Sequence, residues 1–167
     1  MGLGMFNTIG LVIAVAVMVF VGTSGLVSYA SAQKQFVADL AGKNEVPPVD
    51  GSASGIAKFQ LIGDGQTLDY QINVTNINAI MGAHIHSGKL GQNGPVIAAL
   101  FNPNMSSPPT GKVNGLLAKG SIKSSDLQGP LTGHPLSDLV HLIGGHGAYV
   151  NIHTQQHQNG EIRGQIS

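Results

Sequence analysis

From residue 35 onward the chain is a succession of short apolar–polar alternations broken by turn residues, with no sustained helical period. The alternation is clearest over 67–76, where Leu68, Tyr70, Ile72 and Val74 interleave with Asp69, Gln71, Asn73 and Thr75. Such a segment buries one face and wets the other, as antiparallel strands do. It follows a strand over 53–62 across Gly63-Asp64-Gly65-Gln66, a hairpin signal. Residues 35–42 form a first strand, ended by Asn44-Glu45-Val46-Pro47-Pro48. Further strands are expected over 80–86, 95–101, 113–122, 147–154 and 161–166, with long loops at 102–112 and 124–146. The second loop holds a short helix over 135–143, opened by proline and closed by Gly144-Gly145. Seven to eight strands at this spacing predict an all-β fold, a Greek-key sandwich or barrel in one domain.

The N-terminal pattern is different in kind. Residues 9–21 are continuously apolar, and the first 33 residues contain no Lys, Arg, Asp or Glu. The run has the length of a signal-peptide core and ends in Ala30-Ser31-Ala32, an A-x-A cleavage pattern, although no Lys or Arg precedes it. Left uncleaved, the 22 uncharged residues from 9 to 30 would suffice to span a membrane as a helix. Either way residues 1–32 form a leader, cleaved signal peptide or membrane anchor. Residues 33–167 form the exported, extracytoplasmic domain.

Composition narrows the partners. The net charge is zero and the eight basic residues are scattered singly, so nothing tracks phosphates and nucleic acid is excluded. No polybasic patch faces a membrane, which leaves the leader as the only membrane contact. Cysteine is absent, so export rests on the leader and not on a disulfide framework. Asn73-Val74-Thr75 and Asn104-Met105-Ser106 match the N-glycosylation acceptor pattern. Seven histidines stand out in a chain so poor in charge.

His84-Ile85-His86 places two imidazoles on one face of a strand, with Cα atoms roughly 6.5–7 Å apart, close enough to converge on one ion. Taken alone, the pair could equally be two solvent-exposed strand residues. In the strand over 147–154, Ala148, Val150 and Ile152 take the apolar parity, so Tyr149, Asn151 and His153 take the other. In the last strand Ile162, Gly164 and Ile166 point inward, leaving Glu161, Arg163 and Gln165 outward. His84, His86, His153 and Arg163 are thus all expected on the wet face. His134, His141, His146 and His157 lie in adjoining loops, with His141 off the apolar stripe of the short helix. An all-imidazole site without thiolate suits copper, zinc, nickel or iron; copper heads the affinity order. Zinc is the main competitor, with Glu161 as the obvious candidate base for hydrolysis.

Phe36-Val37-Ala38-Asp39-Leu40-Ala41-Gly42 with Asn44-Glu45-Val46-Pro47-Pro48, Ala83-His84-Ile85-His86, Asn93-Gly94-Pro95-Val96, Ala148-Tyr149-Val150-Asn151-Ile152-His153-Thr154 and Gly160-Glu161-Ile162-Arg163-Gly164-Gln165 resemble the CHRD (chordin) domain family. The resemblance covers residues 35–167 in order and implies secretion more directly than it implies an activity. His84-Ile85-His86, Phe101-Asn102-Pro103, the strand ending at His153 and the terminal arginine segment also resemble, more faintly, copper/zinc superoxide dismutases. That resemblance implies a Greek-key barrel with His84, His86 and His153 as copper ligands and Arg163 drawing in superoxide. Leu100 stands where that family has its bridging histidine, and no zinc-ligand cluster follows. The implied site is mononuclear, with a fourth ligand from His141 or His146. Three functions are open at this point: superoxide dismutation at copper, copper storage or delivery without turnover, and a secreted structural or protein-interaction module.

Overall fold

The computed structural model describes residues 34–103 and 111–167. The leader, its cleavage site and the Asn104 acceptor lie outside the described residues. Eight antiparallel strands follow one another: β1 (Gln35–Ala41), β2 (Ser54–Ile62), β3 (Thr67–Asn78), β4 (Ile80–Ser87), β5 (Val96–Phe101), β6 (Lys112–Ile122), β7 (Ala148–Thr154) and β8 (Ile162–Gln165). One helix, α1 (Leu136–Gly144), lies in the loop before β7. The fold is all-β, as the alternation predicts, and each expected strand forms within a residue or two of its expected limits.

The strands join one sheet in the order β5-β4-β7-β8-β1-β2-β3-β6. Its two ends curl towards each other, β5 approaching β6, to give a nearly closed barrel. Around that barrel β7 returns to lie beside β4 after the β4–β5–β6 run, a Greek key. The open flank of β5 is partly covered by the chain after β6, through an Ala98–Leu127 bridge and a Gln128 N–H bond to Ile97 O.

Register follows from the apolar parity, because a one-residue slip would turn every core side chain outward. Phe36, Ala38 and Leu40 of β1 face inward and sit opposite Phe59, Ala57 and Gly55 of β2. Leu68, Ile72, Val74 and Ile77 of β3 continue the same core, as do Ile85 of β4 and Val150 and Ile152 of β7. In α1 the expected stripe of Leu136, Leu139, Val140 and Ile143 is buried.

The expected wet face of β7 and β8 is a different matter. Tyr149, Asn151 and Arg163 are 1%, 3% and 1% exposed. They do point away from the barrel interior, but two loops are tied down over them. Asn44 of the loop after β1 donates to Arg163 O, and Asn93 of the loop after β4 donates to Val46 O, joining the two loops. Alternation reports which side a residue takes; it does not report what the rest of the chain lays over that side.

Candidate metal centre

β4 and β7 are neighbours, paired Gly82–His153, His84–Asn151 and His86–Tyr149. Their outward parities therefore share one surface, and His84, His86 and His153 rise from it together. The three ring centroids stand 5.9, 5.2 and 5.6 Å apart, a nearly equilateral triangle. One nitrogen from each ring lies within 4.8 Å of the other two. Metal–nitrogen bonds of about 2.0–2.1 Å set a tetrahedral edge of roughly 3.4 Å. Closing on an ion needs side-chain shifts of about an ångström at most, well inside rotamer freedom.

Gly82 makes room for this triangle. A Cβ there would lie 3.0 Å from Cε1 and 3.5 Å from Nε2 of His84, so that imidazole occupies the space a side chain would take. Gly82→Ala is expected to keep the fold, displace His84 and lower copper affinity several-fold by calorimetry. Unchanged affinity would show that the His84 ring does not need that space.

Hydrogen bonding decides which nitrogens are offered. His86 Nδ1 lies 2.9 Å from Gly94 O, and His153 Nδ1 lies 2.9 Å from Gln158 O. A carbonyl only accepts, so both Nδ1 atoms carry the proton and both Nε2 atoms present lone pairs. A ring N–H donated to a backbone carbonyl is the usual support of a metal-ligating histidine. His86 Nε2 and His84 Nδ1 are buried and have no hydrogen-bond partner. Two orphaned nitrogens in one buried patch call for an occupant, since an unsatisfied buried polar atom costs about 1–3 kcal/mol. The nitrogens left free of hydrogen-bond partners, and so open to an ion, are Nδ1 of His84 and Nε2 of His86, with Nε2 of His153 carrying the lone pair.

Burial drives the protonation state. Desolvation, then the neighbouring His153 and His86, lowers His84 to about 4, against a smaller opposing effect of a hydrogen bond with Asn102. Desolvation also lowers His86, opposed by the bond to Gly94, and lowers His153, opposed by the bond to Gln158. At neutral pH all three rings are uncharged, the form that binds a metal. The residues fit a borderline divalent ion.

The other expected site residues do not join them. Arg163 is buried behind the centre: its terminal nitrogens donate to Asn93 Oδ1, Lys89 O and Gln92 O, and its guanidinium lies 3.4 Å from the Tyr149 ring centroid. It is not exposed to draw in an anion, because the loop over 88–94 folds onto it. His141 lies on the exposed side of α1 and His146 at an exposed left-handed turn; among the described residues neither belongs to the convergent donors. The α1 stripe that anchors the helix turns His141 to solvent. His134 pairs with Asp138 at 2.7 Å, and the His157 backbone closes a turn onto Thr154. Glu161, the candidate zinc base, is likewise outside the group.

Sequence reasoning put Tyr149 and Asn151 on the histidine face but missed Glu45 and Gly94 as parts of the surroundings. Glu45 is 5% exposed, and desolvation raises it to about 7 against the opposing effects of Arg163 and Asn151. Tyr149 stacks on His86 at 5.1 Å and 14°. Single residues in loops, as Glu45 and Gly94 are, carry no periodic signal. Their one visible mark was membership of the segments that carry the family resemblance.

The family model for the CHRD domain matches residues 36–166. The chain belongs to the CHRD family. The match spans the whole barrel, from β1 through β8, and so includes every residue of the centre. Among curated proteins nothing matches this CHRD domain.

Proposed function

We propose that this chain is an exported CHRD module that holds one copper ion on His84, His86 and His153, as a storage or delivery site. The observation that supports it is the convergence of three neutral imidazoles, two of whose inward nitrogens are buried without partners. Copper, when bound, would bring one-electron redox chemistry to the site. The protein's part is to hold the tautomers, exclude competing protons and leave a coordination position open. Turnover of superoxide gains no support from the burial of Arg163, the residue on which anion capture was expected to rest. Export rests on the leader and on the secreted setting of the family.

A second reading has a specific observation behind it. Membership of the CHRD family supports a secreted protein-interaction module, and supports it more directly than it supports metal chemistry. In that reading the histidines are incidental to docking.

Calorimetric titration of the exported protein with Cu(II) separates the two. One ion per chain, bound well above a scrambled histidine-rich peptide of the same composition, is the result expected of a built centre. Binding no better than that peptide leaves the interaction module as the function.

A further inference from the structure

Behind the histidines lies a buried assembly that the proposed function does not use. The Arg163 guanidinium, the Tyr149 ring and the His86 imidazole form a stack, with 3.4 Å from guanidinium carbon to phenol centroid and 5.1 Å between the two rings. On its other side Arg163 grips three acceptors of one loop, Lys89 O, Gln92 O and Asn93 Oδ1, at 3.2, 2.7 and 3.0 Å. The next residue along, Gly94, is the one that touches the centre. Its carbonyl accepts the hydrogen bond from His86 Nδ1–H, and its N–H donates to Tyr149 Oη at 3.1 Å. Gly94 cannot be replaced, because any Cβ would collide with the Ser87 carbonyl. The loop is tied once more where Asn93 Nδ2 donates to Val46 O.

We infer that Arg163 is a positioning residue for the metal centre, fixing the tautomer and plane of His86 through the Gly94 carbonyl and the Tyr149 ring. This rests on reading the three imidazoles as a metal site. The physical reason is a matter of geometry. A planar fork of N–H donors can span several carbonyls at once, which a lysine ammonium cannot do in the same plane. A loop held by one such fork presents Gly94 O at a fixed point, and a fixed acceptor selects the Nδ1–H tautomer, leaving Nε2 for the ion. The stacked Tyr149 ring restricts rotation of the imidazole about its own axis. His153 supplies an internal control: its tautomer is set by Gln158 O, on another loop that Arg163 does not hold.

The test uses the full chain, metal-free, with long-range imidazole nitrogen spectra, followed by Cu(II) titration. The wild type should show both His86 and His153 as Nδ1–H tautomers. In Arg163→Met, His86 should become a mixture of tautomers while His153 is unchanged, and Cu(II) affinity should fall roughly tenfold or more. Arg163→Lys should rescue little. A folded Arg163→Met protein with an unaltered His86 signal and wild-type affinity overturns the inference. Should that variant not fold, Asn93→Ala decides, since it removes one acceptor of the fork and the tie to Val46. A shifted His86 with a constant His153 supports the inference there, and an unmoved His86 overturns it. A wild type that binds no copper, with His86 still released by Arg163→Met, would sink the proposed function while leaving Arg163's hold on the His86 tautomer standing.

Discussion

His153→Ala is expected to remove nearly all of the stabilisation that copper gives the folded domain. A ligand present at about 100 times its Kd stabilises by about 2.7 kcal/mol. Taking one imidazole of three leaves a two-coordinate remnant, for which a loss of roughly 100-fold in affinity is a modest expectation. At the same copper concentration the stabilisation then falls to about 0.4 kcal/mol. The metal-free variant should differ far less from its parent. It loses one ring and one hydrogen bond to Gln158 O, a bond worth about 1 kcal/mol. Thermal unfolding with and without Cu(II) reads both quantities in one experiment. His141→Ala, on the exposed side of α1, should leave the copper shift intact. If His153→Ala keeps the full copper shift, the three imidazoles do not form the site.

The barrel was largely legible in the sequence because its information is local. Leu68, Ile72 and Val74 against Asp69, Gln71 and Asn73 state a parity that only one face assignment satisfies. The triad was legible for the same reason: His84, His86 and His153 each sit opposite in parity to Ile85 and Ile152, and the remaining step was that β4 and β7 be neighbours. The Greek-key return supplies that step.

What was not legible is the layer above that face. Parity assigned Arg163 and Tyr149 to the outer side correctly, yet exposure depended on where the loops over 42–48 and 88–94 come to rest. Those positions are set by single bonds between residues far apart in the chain, such as Asn93 to Val46 and Asn44 to Arg163 O. No period encodes them. Histidine count misled in the same way, since His134, His141, His146 and His157 add to the composition without reaching the centre. The buried Glu45 was invisible because a carboxylate two residues before a Pro-Pro pair reads as a solvated turn.

That carboxylate yields the other large effect. Glu45→Gln is expected to raise the stability of the metal-free domain at pH 8 by up to about 3 kcal/mol and to steepen its loss of stability in acid. Glu45 is raised from 4.5 to about 7 in the folded state, so the fold binds its proton more tightly than the unfolded chain does. Its contribution is fully present below 4.5 and is lost as pH rises through 7. His84 runs the other way: lowered from 6.5 to about 4, its contribution is present above 6.5 and is lost as pH falls through 4. Between pH 4.5 and 6.5 the Glu45 slope, near 1.4 kcal/mol per pH unit, opposes that of His84, while the lowered His86 and His153 add to the histidine side, so the wild type loses stability in acid less steeply than it would without Glu45. Glutamine removes the first slope. It also suits the site, because Glu45 Oε1 and Asn151 Oδ1 are both buried without partners, pressed against Gly160. An amide in place of the acid can donate to Asn151 Oδ1 and still accept from Asn151 Nδ2, as Glu45 Oε2 does at 3.4 Å. Denaturant midpoints of the chelator-treated protein from pH 4 to 8 should therefore separate at high pH and converge as the acid limb of the variant steepens. Parallel curves for the two proteins would show that Glu45 ionises in the folded state as an ordinary carboxylate does, and that the buried face behind the histidines is wetter than its packing implies.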